Sequence, residues 1–70
     1  MLGARYTGIL YVDGQAFYNQ LINGVADNSK KAVIKELHDM VINHLLPEWM
    51  AEHKVEYHIT DRKTKETIII

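Results

Sequence analysis

The sequence predicts a single α+β domain spanning 1–70, ordered β-α-α-β-β, with a three-stranded sheet carrying two helices on one face. Three observations predict it. Apolar residues alternate with a period of two near both ends of the chain, they switch to helical spacing in between, and the capping residues Asp27-Asn28-Ser29 divide the helical stretch.

The first strand is Arg5 to Val12, RYTGILYV, rich in aromatic and β-branched residues and flanked by Gly3 and Gly14. After Asp13 and Gly14, the residues Phe17, Tyr18, Leu21, Ile22 and Val25 share one face of an expected short helix. Asp13 would cap its start, and Asn23-Gly24 would close it because both tolerate positive φ. Asp27, Asn28 and Ser29 then supply side-chain acceptors for the free amides of a second helix. Its stripe is Val33, Leu37, Met40 and His44, flanked by Ile34, Val41 and Leu45. Pro47 removes a donor and collides with the carbonyl four residues earlier, so this helix ends near Leu46 or continues, kinked, through Trp49.

From Val55 the period of two returns, with Val55, Tyr57 and Ile59 alternating against Glu56, His58 and Thr60. The polar DRKTKE stretch turns the chain into the closing TIII. The hairpin register that keeps the faces unmixed sets Ile59 opposite Ile68, Tyr57 opposite Ile70 and Thr60 opposite Thr67.

Hydrophobic residues at 47% against 24% charged argue for a folded globule over a disordered tail. Seventy residues build a thin core, and without cysteine neither a disulfide nor a thiolate zinc site can reinforce it. Oligomerisation is then the expected source of further burial. The longest apolar run, Ile9 to Val12, is far short of a membrane span, so no membrane association is expected. Met1 to Gly8 lacks the basic-then-apolar layout of a secretory signal, which makes a cytoplasmic location the default expectation. A formal charge of -1, with both signs interspersed, argues against strong nonspecific binding to nucleic acid while leaving room for a local phosphate contact.

Catalytic signatures are missing from the sequence. Its only serine, Ser29, is explained as a cap, there is no cysteine, and four scattered glycines form no phosphate loop. The histidines are His38, His44, His53 and His58, none in a zinc-ligand spacing. His38 and His44 point about 120° apart on an ideal helix, and His44 with Glu48 lacks a third ligand. No catalytic residue, metal ligand or cofactor is therefore assigned. His44, in the middle of the stripe, is expected to be buried and hydrogen-bonded, with the other three at the surface; buried without a partner, its titration would instead couple pH to folding or assembly.

Two resemblances bear on function. The stretch ILYVDG, Ile9 to Gly14, resembles the first strand of PIN-like nucleases, which would make Asp13 a metal-binding aspartate. From Arg5 to Leu46 the chain resembles the ribbon-helix-helix family of dimeric DNA-binding repressors, with RYTGILYVD as the strand and NSKKAVIKEL as the start of the second helix. That resemblance implies a two-stranded ribbon shared between two copies and placed in the major groove. Arg5, Thr7, Ile9 and Tyr11 would face DNA, while Ser29, Lys30 and Lys31 would hold a phosphate.

Ile42, Leu46 and Trp49 project away from the main stripe when the second helix runs on in phase past Pro47. Apolar surface of that kind is the expected interface of a homodimer. The leading expectation is thus a small non-enzymatic interaction protein, a homodimer that binds another macromolecule. A DNA-binding repressor is the alternative, and a metal-dependent nuclease the third.

Overall fold

The computed structural model describes residues 3–70. Its elements are β1 (Tyr6–Val12), β2 (Gln15–Ala16), β3 (Val25–Asp27), α1 (Lys30–His44), α2 (Pro47–Ala51), β4 (Val55–Asp61) and β5 (Glu66–Ile69). The fold is α+β. Its sheet has five antiparallel strands in place of the expected three, ordered β2-β1-β4-β5, with β3 also paired to β1.

The two additional strands come from the segment expected to be a helix. Asp13 (φ 52) and Gly14 (φ 84) are the central residues of a two-residue hairpin turn that sets Val12 opposite Gln15. Positive φ at both positions matches the right-handed twist of the flanking strands, so the chain folds back along β1 and no helix starts there. Asp13 therefore caps nothing. Its carboxylate accepts the Lys54 N–H at 2.9 Å, and its own N–H donates to the Lys54 carbonyl at 2.8 Å. Asn19 then fixes a bend by accepting the amides of Leu21 and Ile22 at 2.7 and 2.8 Å. Val25 is drawn into the sheet opposite Gly8.

The single long helix begins where the capping residues predict. Ser29 Oγ accepts the Ala32 N–H at 3.3 Å, Asp27 accepts the Ser29 N–H at 3.1 Å, and Asn28 accepts the Arg5 N–H at 3.0 Å. Val33, Leu37 and Val41, spaced four apart, form its buried edge. They meet Leu10, Val12, Ile22, Val25 and Ile59 in one core cluster. Gly8 permits the close approach of helix and sheet, since a Cβ there would lie 2.6 Å from Val33 Cγ1 and 3.2 Å from Ile59 Cδ1.

α1 ends at His44, and the chain resumes helical geometry with Pro47 as the first residue of α2. Proline suits that position because its missing N–H has no helical partner to lose. His44 departs from expectation: it is exposed in the last turn of α1 and takes no place in the core. His38 is exposed, as expected, whereas His53 and His58 are half-buried.

The C-terminal hairpin has the expected register, with Ile59 opposite Ile68 and Thr60 opposite Thr67, their hydroxyls 3.0 Å apart. Tyr57 and Ile70 exchange two backbone hydrogen bonds of 3.0 and 2.9 Å. β1 thus has β4 along one edge and β2 with β3 along the other. A ribbon shared by two β1 strands would require one of those edges to open.

Candidate interaction surfaces

Three surfaces stand out, and each follows from how a local sequence leaves the sheet or helix incompletely covered. The first lies where α1 gives way to α2. Pro47 starts a new helix, so the chain changes direction and Trp49 turns back toward Phe17. Phe17, His44, Leu45, Leu46 and Trp49 line a groove of 290 Å³. Trp49 is half-buried, stacked on His53 with ring centroids 4.0 Å apart and tilted against Phe17 at 5.8 Å. The His53 ring nitrogen Nδ1 donates to the Trp49 carbonyl at 2.8 Å, which fixes the stack. Leu46 is 68% exposed at the rim.

Ile42 does not join that groove. It lies one turn beyond His38, whose Nδ1 is 3.0 Å from the Tyr57 hydroxyl, so it sits on the flank of α1 that faces β4 and is 54% exposed. The three residues expected to form one surface are therefore divided, with Leu46 and Trp49 at the groove and Ile42 on the flank.

The second surface is β5 with the sheet face opposite α1. Ile68, Ile69 and Ile70 are 43%, 56% and 56% exposed. Alternation of buried Gly8, Leu10 and Val12 with half-buried Thr7, Ile9 and Tyr11 shows that α1 covers one face only. On the open face Tyr11 stacks on His58 with centroids 3.6 Å apart, and His58 Nε2 lies 3.4 Å from Glu56 Oε1. Thr7, Ile9 and Tyr11 thus share one face, as the strand period requires.

The third surface is cationic and gathers residues distant in sequence. Antiparallel pairing of β1 with β4 brings the DRKTKE turn beside the start of β1, and Arg5, Arg62, Lys63 and Lys65 line an open cleft of 580 Å³ with Gly3, Ala4 and Thr60. Lys30 and Lys31 begin α1 at the same end, Lys30 sharing a small pocket with Asp61 and Glu66. Six of the eight lysines and arginines thus collect against three carboxylates, Asp27, Asp61 and Glu66. At the opposite end Asp13, Glu48, Glu52 and Glu56 stand with Lys54 alone. Sequence reading identified Arg5, Ser29, Lys30 and Lys31 but missed Arg62, Lys63 and Lys65. The signal available was that the DRKTKE turn must return beside whichever strand pairs with β4.

Arg5 is held in place at this end. Its guanidinium donates to both Asp61 oxygens at 3.1 and 2.9 Å and lies 5.1 Å above the Tyr6 ring. The paired guanidinium holds the Asp61 carboxyl down to about 2, aided by the Lys63 amide, and Arg5 is raised in turn. Burial raises the Tyr57 hydroxyl.

Among the described residues no group of three or more His, Asp or Glu side chains is placed to hold a metal ion. Asp13, the residue that the nuclease resemblance singles out, has His53 Nε2 at 4.0 Å and the Lys54 amide as neighbours. Among the described residues no helix is long and apolar enough to cross a membrane. In comparisons with known proteins, the chain matches no family model, no curated protein and no solved structure.

Proposed function

We propose that this chain is a small non-enzymatic interaction protein that works as a homodimer and binds another macromolecule. The observation that carries the reading is the amount of aliphatic side chain left outside a core of eight buried residues. Leu46, Ile42, Ile68, Ile69 and Ile70 are all exposed. Soluble monomers usually avoid patches of this kind, and a short chain without a covalent staple gains stability by covering them. Leu46 and Trp49, at the groove, supply an aromatic anchor beside an aliphatic rim, a composition common at the centre of protein interfaces. Sedimentation equilibrium at tens of micromolar is the test. The expected mass is twice 8.1 kDa, and a single-chain mass would overturn the homodimer.

A second reading, DNA binding, is supported by the cationic end. Arg5, Lys30, Lys31, Arg62, Lys63 and Lys65 could together contact several phosphates, which a net charge near zero conceals. Fluorescence anisotropy with generic duplex DNA should then rise at low salt and fall steeply as salt is added. No change at low salt would remove this reading.

A further inference from the structure

We propose that the free edge of β5 pairs antiparallel with β5 of a second copy of this chain, about a two-fold axis at Ile68, making one sheet continuous across the dimer. The proposal rests on the homodimer reading and says where that dimer forms.

Backbone parity places the unpaired groups. Tyr57 and Ile70 exchange both their hydrogen bonds, which makes them a hydrogen-bonded pair of the antiparallel ladder. Such pairs alternate with non-hydrogen-bonded ones, so Ile59–Ile68 is bonded while His58–Ile69 and Thr60–Thr67 are not. The N–H and C=O groups of Thr67 and Ile69 therefore point away from β4, to the side where no strand of the described chain lies.

Exposed sheet edges are ordinarily protected by lysine, proline, a bulge or a covering element. Thr67 to Ile70 contains no charge and no proline, and its ladder with β4 runs without a bulge. α1 packs over β1, β3 and β4 and leaves Ile68 and Ile70 half exposed on its own side of the sheet. An edge this apolar and regular is built to be covered by extended backbone.

Self-pairing is favoured over a foreign strand on two counts. With the axis at Ile68, Thr67 of each copy opposes Ile69 of the other, and all four outward groups on each edge find partners. An axis at Thr67 would instead set Ile69 opposite Lys65, whose N–H already donates to Asp61 at 2.7 Å. Charge points the same way. Antiparallel pairing sets the cationic end of one copy, which carries Lys63 and Lys65, alongside the acidic end of the other, which carries Glu52 and Glu56. On the helix side the two Ile68 side chains meet at the axis.

Ile69→Pro tests the arrangement, because position 69 donates outward and proline there removes no hydrogen bond to β4. Sedimentation equilibrium of the wild type should give twice the single-chain mass, and Ile69→Pro should give the single-chain mass with an unchanged far-ultraviolet circular dichroism spectrum. Leu46→Glu should remain dimeric. A wild-type dimer that survives Ile69→Pro overturns the edge pairing while leaving the homodimer intact, and a dimer lost only in Leu46→Glu moves the interface to the groove. A monomeric wild type overturns both. Should Ile69→Pro fail to fold, amide exchange of the wild type decides. Thr67 and Ile69 should exchange at least about a hundredfold more slowly than unprotected amides, and free exchange of both in a dimer overturns the proposal.

Discussion

Gly8 shows how much a single position can govern here. It lies under Val33 at the crossing of β1 and α1, and an added methyl would stand 2.6 Å from Val33 Cγ1. Gly8→Ala is expected to cost about 1–3 kcal/mol in urea melts through overpacking. Combining it with Val33→Ala should show favourable coupling, because the second change removes the colliding methyl. A loss below about 0.5 kcal/mol would mean that α1 moves away from the sheet at little cost. Asp61 gives a pH-dependent counterpart. Its folded value of about 2 lies below the ordinary carboxyl value of 3.8, so its pairing with Arg5 stabilises fully above the latter and is lost as pH falls through the former. Asp61→Asn should therefore be less stable than the wild type at pH 5, with the difference shrinking toward pH 2. A difference independent of pH would show that the ion pair contributes nothing.

Among the elements, those whose signals are local and redundant were legible in the sequence. Ser29 sits among three residues able to cap, and α1 starts beside it; the Thr60–Thr67 and Ile59–Ile68 pairs left one unmixed register, and β4 with β5 adopts it. Residues 15–25 were misread for a physical reason. Phe17, Tyr18, Leu21, Ile22 and Val25 have helical spacing, but Asp13-Gly14 is also a strong short-range hairpin signal, and it wins because Gln15 and Ala16 gain a pairing with β1. Ile22 and Val25 still reach the core, Ile22 after the bend at Asn19 and Val25 as the start of β3. His44 was misplaced because a stripe gives direction around a helix axis and not whether anything lies beneath its last turn. The groove was half visible: Leu46 and Trp49 were identifiable as surplus apolar residues, whereas Phe17 reached them only through the unforeseen hairpin.

At the scale of the whole molecule, the two long margins of the sheet differ. Beyond β1 the margin is broken into β2, Gln15–Ala16, and β3, Val25–Asp27, with the bend at Asn19 between them. Fragments of two and three residues offer no continuous template for a second chain. Beyond β4 the margin is the uninterrupted β5. On the β5 pairing proposed above, the sheet of the described residues has a valence of one: a neighbour adds along β5, and the broken margin beyond β1 offers it no template. Growth by strand addition must then terminate after a single event, as a closed pair, where a sheet with two equal margins would propagate into a filament. On that proposal the turn at Asp13-Gly14, by folding a short arm back along β1, would act as a stop for polymerisation.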